Sequence, residues 1–205
     1  KSSGLMIDER EIKSHTSNIL AGLYSLGGRN DSVMIEALID FDPRLQDYSV
    51  EGVPDIRIIV FRGVPVMAMM RCATHASDGK ANLHQGAVGV GLDIGTGQSL
   101  HAVQYNRIIN QHPDSGIGFA DLAIPHWQQV LDLAASCAGM TGLDYLGADI
   151  VLDRQGGPML LELNARPGLA IQVANQVGLR LRLAAAAKIA DSTTDQTEKI
   201  QWARE

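Results

Sequence analysis

GADIVLDRQGGPMLLELNARPG, residues 147–168, decides how the rest of the chain is read. Asp149 sits in an apolar, strand-like segment from Tyr145 to Leu152, Arg154-Gln155-Gly156-Gly157 supplies turn residues, and Pro158 to Leu163 returns as a second strand. The pattern predicts a β-hairpin. With Gln155 and Gly156 as a two-residue turn, Asp149 faces Glu162 across the hairpin. Asn164 shares their face, because strand side chains alternate. A shifted turn would instead put Asp149 opposite Asn164, with Glu162 as its diagonal neighbour. The three oxygen donors cluster in either register.

Two facing carboxylates repel, so a cation between them is expected. Oxygen-only donors suit a hard cation such as Mg²⁺, which takes few protein carboxylates and leaves its other positions to water and phosphate. The competing reading is that Asp149 and Glu162 are solvated, or paired with Arg154 or Arg166, as charged strand residues commonly are.

The 205 residues suffice for one large or two small domains, and the 45% hydrophobic and 20% charged fractions are those of a globular protein. Aromatics make up only 4%, so the core must be built from aliphatic side chains. A net charge of −6 and a pI near 5.5 argue against nucleic-acid or membrane-surface partners. No apolar run approaches the roughly 20 residues that span a bilayer, and no secretory signal is visible, which predicts a cytoplasmic protein. Cys72 and Cys137 form neither a disulfide framework nor a zinc pattern, and are read as reduced structural thiols. The chain starts at Lys1-Ser2-Ser3-Gly4 without an initiator Met, and reads as the later part of a longer protein.

Asp8 and Glu11 form a capping box. Ile12, Ile19 and Leu26 with Thr16, Leu20 and Leu23 then recur at helical spacing, predicting a helix of about five turns up to Gly27-Gly28. Ser32 to Ile39 reads as a buried strand, and residues 40–54 as an acidic, tyrosine-bearing insertion. Residues 56–61 and 64–71 form a second hairpin about Arg62-Gly63, and residues 87–94 and 99–105 a third about Gly95-Thr96-Gly97. Between them, residues 72–86 lack apolar periodicity and form a long, functional-looking loop. Pro125 opens a helix, in its first turn, that runs to about Met140. Residues 169–190 are helical with a break near Gly178, and residues 191–205 are a polar tail free to fray. Hairpins interspersed with separate helices predict an α+β fold, a largely antiparallel sheet with flanking helices.

Asp55 and Arg57 project from one strand face, and Arg71 lies on the second arm of their hairpin. Arginines beside a metal site would stabilise a transferring phosphoryl group, while the plainer alternative is a structural salt bridge to Asp55. Lys80 to Gly86 mixes a cation, an amide and an imidazole in a manner suited to anion contact, although His84 by itself reads as a loop residue. Gly86, Gly89 and Gly91 precede a strand and not a helix, which fails the dinucleotide-binding pattern. His15, His75, His101, His112 and His126 lack metal-ligand spacing, and no nucleophile elbow is present.

Taken in order, VMIEALI (33–39), PDIRIIVFRGVPVMAMMR (54–71), GKANLHQGAVGVG (79–91) and GADIVLDRQGGPMLLELNARPGL (147–169) resemble the C-terminal two-thirds of an ATP-grasp ligase of the RimK-type alpha-L-glutamate ligases. The resemblance implies an ATP-grasp fold, with residues 1–38 the remainder of a smaller subdomain and residues 39–190 the larger one. It places adenine against Glu36, Ala37 and Leu38, although Glu36-Ala37 stands where the family often has Gln-Glu. It places the nucleotide near Asp55, Lys80, Ala81 and Asn82, and makes Asp149, Glu162 and Asn164 the ligands of Mg²⁺ or, in its stead, Mn²⁺. Arg57 and Arg71 match catalytic arginines beside the transferring phosphate.

The implied activity is ATP-dependent ligation of a small-molecule or peptide carboxylate to an amine through an acyl phosphate. The family's upstream strand with its lysine and glycine-rich loop does not occur in these residues, which implies that this stretch alone cannot complete catalysis. Two rival readings are a nucleotide-binding module without ligation and a metal-dependent phosphohydrolase.

Overall fold

The computed structural model describes residues 8–205, so Lys1-Ser2-Ser3-Gly4 lies outside the described residues. The chain divides into two compact units, residues 1–39 and 40–205. In the first, the Asp8 carboxylate accepts from the Glu11 N–H at 2.8 Å and Glu11 Oε2 accepts from the Asp8 N–H at 3.4 Å, closing the expected capping box. Helix α1 (Glu9–Leu20) has 12 residues, about three turns and not five. Gly22 ends it: its φ is +76°, and a Cβ there would fall 2.2 Å from the Arg29 carbonyl oxygen, where Ser25 Oγ also bonds. The apolar period through Leu26 runs across this turn without continuing the helix.

The buried strand expected over Ser32 to Ile39 is not formed. Met34, Ile35 and Leu38 are 80%, 86% and 95% exposed, and no described segment of this unit pairs with them. A strand needs a neighbour for its backbone groups, and apolar composition supplies none.

The second unit is organised by one antiparallel sheet of seven strands in the order β5-β4-β3-β2-β1-β6-β7. Its strands are β1 (Asp55–Phe61), β2 (Val64–Cys72), β3 (Val88–Leu92), β4 (Ser99–Gln104), β5 (Arg107–Ile109), β6 (Tyr145–Asp153) and β7 (Gly157–Asn164). Alternation splits the central strands cleanly. Ile56, Ile58 and Val60 of β1, Ala68 and Met70 of β2, and Ala148 and Ile150 of β6 pack against helix α2 (Trp127–Thr141) through Val130, Leu131 and Ala134. Ile59, Met67 and Met69 pack on the other face with Ile171 and Ala174 of α3 (Ala170–Asn175) and Leu179 and Ala186 of α4 (Leu179–Ser192). With both faces covered, β1 and β2 read as near-continuous apolar runs.

All three expected hairpins are present, with instructive deviations. Pro125 precedes the left-handed cap residue His126, so α2 starts at Trp127 and the proline lies outside the first turn. The break near Gly178 is held by Asn175, whose amide donates to the carbonyls of Ala68 and Ile171, both at 2.9 Å. Residues 191–205 do not fray: helix α5 (Gln196–Ala203) buries Ile200 and Ala203, and Arg182 stacks 4.5 Å from the Trp202 ring. The segment is mostly polar, but a helix needs only one apolar face to dock, and Ile200 and Ala203 provide it.

Because Ile200 is 3% exposed, Ile200→Ala should cost about 2–4 kcal/mol and lower the melting temperature by several degrees, measured by thermal unfolding. Truncation after Ser192 should do at least as much. A frayed tail would show no change in either variant.

Candidate functional site

The β6–β7 hairpin builds the site by two deviations that cancel. The turn has three residues, since Asp153 pairs with Gly157, and Ile150 pairs with Leu160, one position off the register of a two-residue turn. A bulge between Asp149 and Ile150 restores the register, so Asp149 pairs with Glu162 and Gly147 with Asn164. Asp149 also pairs with Arg57 across β6–β1, while Asp55 pairs with Arg71 across β1–β2.

These residues form one buried ionic row. Arg57 grips Asp149 bidentately at 2.7 and 2.6 Å, Arg71 grips Asp55 bidentately at 2.5 and 2.7 Å, and Arg71 also reaches Asp149 Oδ2 at 2.7 Å. Asn164 Nδ2 adds a fourth hydrogen bond to the Asp149 carboxylate at 3.2 Å. Asp149 is 2% and Asp55 4% exposed. The two carboxylates and two guanidiniums balance, and Glu162, exposed on the edge strand β7, is left over as net negative charge.

Burial raises Asp55 to about 6; Arg71 opposes this, and the nearby Asp149 charge reinforces it. Burial works against the charge on Arg71, but Asp55 and Asp149 outweigh it and hold the guanidinium pKa above its ordinary value. Cys72 and Cys137 are both buried free thiols, and burial pushes each thiol up.

The structure thus brings Asp55, Arg57, Arg71, Asp149, Asn164 and Glu162 together on one sheet face. Asp149 pairs with Arg57 and Arg71 and not with Arg154 or Arg166; Arg154 instead approaches Asp40 at 3.4 Å. As a cation site the set fits in part. Glu162 and the Asn164 amide oxygen are oxygen donors suited to a hard cation, but the Asp149 carboxylate already accepts four hydrogen bonds, about its full capacity. Among the described residues no group of three or more His, Cys, Asp or Glu side chains is arranged to hold a metal. For Asp149 to ligate a cation, at least one of these donors would have to let go.

Lys80, Ala81 and Asn82 lie in the loop between β2 and β3. Asn82 Oδ1 accepts from the His84 N–H at 3.0 Å, and Lys80 approaches Asp78 at 3.5 Å. Glu36 lines a largely apolar groove of about 810 Å³ with Ile12, Ile19 and Met34 in the first unit, and Ala37 and Leu38 are exposed.

Sequence reasoning missed how that loop is held. Thr74 and Ser77 cap each other at 2.9 and 3.1 Å, and Thr74 Oγ1 donates to the Gly86 carbonyl at 3.0 Å. His112, with no exposed surface, donates from Nε2 to the Ala73 carbonyl at 3.0 Å and accepts at Nδ1 from the N–H groups of Asp114 and Ser115, each at 3.3 Å. The Thr74-x-x-Ser77 spacing was the available signal; nothing in sequence ties His112 to a residue 39 positions away.

The chain belongs to the sugar-transfer associated ATP-grasp family, whose model matches residues 1–188. The ATP-grasp reading therefore holds, together with its α+β fold and antiparallel sheet flanked by helices; the match does not extend to glutamate ligation. No curated protein matches the chain. Among solved structures, the ATP-grasp ligase PsnB complexed with a phosphomimetic variant of minimal precursor, Mg and ADP aligns at 17% identity and a TM-score of 0.37, over 68% of this chain and 32% of that one. PsnB complexed with precursor peptide PsnA2 and AMPPNP aligns at 15% identity and a TM-score of 0.33, over 73% and 33%. The chain spans about a third of the length of these structures.

Asp149→Asn leaves two buried guanidiniums with one carboxylate, and should cost about 3–5 kcal/mol in urea unfolding. Glu162→Gln, on the exposed edge, should stay within about 0.5 kcal/mol. Asp55 supplies a pH signature. With its folded pKa near 6 and the unfolded value near 3.8, its contribution to stability is full below about pH 4 and is lost as pH rises through 6. Wild-type stability minus that of Asp55→Asn should therefore fall between pH 4 and 7; a difference that grows with pH would mean that Arg71 holds Asp55 below its ordinary value.

Proposed function

We propose that this chain supplies the metal- and phosphate-handling part of an ATP-dependent ligase that joins a carboxylate to an amine. The observation that carries the reading is the charge-balanced row of Arg57, Arg71, Asp55 and Asp149 with Glu162 and Asn164 at its end. Guanidinium forks pair equally well with carboxylate and phosphate, so Arg57 and Arg71 can exchange Asp149 for phosphate oxygens without any change in their own geometry of bonding. That exchange frees the Asp149 carboxylate to join Glu162 and Asn164 around Mg²⁺ or Mn²⁺. A divalent ion there supplies the charge that offsets the triphosphate.

In this reaction a substrate carboxylate oxygen attacks the γ-phosphorus, the bond to the β-phosphate oxygen breaks, and ADP leaves. The amine nitrogen then attacks the acyl carbon, the carbon–oxygen bond to phosphate breaks, and inorganic phosphate departs as the nitrogen loses a proton to solvent. Arg57 and Arg71 hold the in-flight phosphoryl oxygens. Lys80, Ala81 and Asn82 cover the phosphates, Asp55 fixes Arg71, and Glu36, Ala37 and Leu38 contact adenine. A glutamate-type or peptide substrate is what the resemblance to glutamate ligases implies.

A second reading, a nucleotide-binding module without ligation, draws on one specific observation: the Asp149 carboxylate is saturated by donors from Arg57, Arg71 and Asn164. The two readings part on phosphate release. In the full-length protein, Glu162→Gln should lower amine-dependent phosphate release roughly 100-fold at unchanged melting temperature. Asn82→Ala should raise the KM for ATP about tenfold. ATP that stabilises the protein while no carboxylate and amine mixture yields phosphate would favour the binding module.

A further inference from the structure

The segment at residues 40–54 takes no part in the roles above, yet its end rests on the loop that carries Lys80. A Cβ built on Gly52 would stand 2.1 Å from the Gly79 carbonyl oxygen, 3.0 Å from the Gly79 carbonyl carbon and 2.9 Å from the Ala73 Cβ. A Cβ on Gly79 would in turn meet the Glu51 carbonyl oxygen at 2.8 Å. Two backbones therefore meet here at a distance that side chains would forbid. Gly79, with φ of +69°, needs its glycine for conformation as well. Gly52 does not: its φ lies outside the left-handed region, so the contact alone excludes a side chain there.

The turn that ends in Gly52 is itself held in place. Ser49 Oγ accepts from the Ala73 N–H at 2.9 Å and donates to the Gly52 carbonyl at 2.8 Å, and the Val50 N–H donates to the Ala73 carbonyl at 2.9 Å. Glu51 at φ +61° and Asp78 at φ +53° precede the two glycines in a conformation uncommon for residues with a side chain. Such residues persist where their surroundings over-determine them, and they gather at functional sites.

The contact bears on one short span of the loop. Upstream, Thr74 and Ser77 are locked to each other. Downstream, the Asn82 carbonyl accepts from the Gln85 and Ala87 N–H groups at 3.0 and 3.1 Å, and its side chain accepts from the His84 N–H. Residues 78–81 join these two anchors, and Gly52 rests on that span. The Gly79 oxygen and the Lys80 N–H belong to one planar peptide, so moving the first turns the second away from the Ser77 carbonyl, to which it donates at 3.1 Å. We infer that Gly52 is a positioning residue for the nucleotide phosphates: it sets the backbone of Lys80 through the Gly79 carbonyl and touches no ligand itself. The inference rests on the phosphate role proposed for Lys80, Ala81 and Asn82. Because Asn82 has its own anchor, Gly52 governs the contribution of Lys80 and leaves that of Asn82 unaltered.

Binding of Mg–ATP to the full-length protein, measured by calorimetry, tests this without requiring ligation. Lys80→Ala and Gly52→Ala should each weaken binding about tenfold, and the double variant should bind no more weakly than either alone. Gly52→Ala combined with Asn82→Ala should instead multiply the two losses. A loop that merely loosened would lose the Asn82 contribution too, and neither pair would then multiply. Thermal unfolding checks that each variant folds; should Gly52→Ala not fold, Ser49→Ala, which frees the turn without adding an atom, takes its place with the same pattern expected. Weaker binding in Lys80→Ala with wild-type binding in Gly52→Ala, losses that multiply for Gly52 with Lys80, or losses that fail to multiply for Gly52 with Asn82 would overturn the inference and leave the phosphate role of Lys80 standing. Unchanged binding in Lys80→Ala, or no binding of Mg–ATP to the wild type, would overturn both.

Discussion

The Asp149 carboxylate, held by two guanidiniums and an amide on the β6–β1–β2 face, is the interaction around which the second unit is arranged. It is almost wholly buried, as is Asp55, and the side chains of the two arginines are only 12% and 13% exposed. Buried charges of this kind are tolerated only when each has partners, and here each carboxylate meets at least one complete guanidinium fork. The constraint reaches into the backbone. Arg57 must lie opposite Asp149, and Asp55 opposite Arg71, which fixes the registers of two strand pairs at once. On the same face, Ile59, Met67 and Met69 turn apolar under α3 and α4, so the ionic row begins where the helical cover stops.

A closed network of this sort is also a poised one. Replacing a carboxylate by a phosphate as the partner of an arginine keeps a bidentate, charge-assisted pair and costs little reorganisation. It releases a carboxylate into a space where Glu162 already carries uncompensated charge. The arrangement therefore prefers that anion and cation arrive together: a cation alone would compete with the arginines for Asp149, and an anion alone would add negative charge beside Glu162. This mutual requirement follows from the charge balance, and under the proposed function a metal–triphosphate complex would satisfy it in one step.

Much of this was legible in the sequence, for a physical reason. Hairpin signals are local, and period-two alternation assigns a face to every residue once a strand is recognised, so Asp149, Glu162 and Asn164 could be placed on one face and Asp55 with Arg57 on another; that the two hairpins adjoin through β1 and β6 was implied only by the family resemblance. The turn at residues 154–156 is one residue longer than its sequence predicts, and the bulge beside Asp149 restores the predicted pairing with Glu162. Neither leaves a clear mark in composition. Partner choice was harder to read. Asp55 paired with an arginine, the plainer of the two readings offered, but Asp149 took both arginines because cross-strand proximity outweighs nearness in sequence. The strand expected at Ser32 to Ile39 failed for the converse reason, since apolar residues announce burial but cannot announce a partner.

The β2–β3 loop completes the picture from the opposite direction. Its polar composition suggests mobility, yet Thr74, Ser77 and His112 form a fully buried network with every hydrogen-bonding atom engaged. Such networks are costly to leave half-formed, so they impose one conformation on the backbone that carries them. Lys80 and Asn82 consequently belong to a loop whose root is held in one conformation, whereas the proposed function asks the ionic row to exchange partners. Under the proposed function the two parts would have separate tasks: the loop would set where phosphates lie, and the row would supply charge that rearranges around them. Preorganisation on one side and compliance on the other is what a site must combine if it is to hold a polyphosphate firmly and still let one of its groups move.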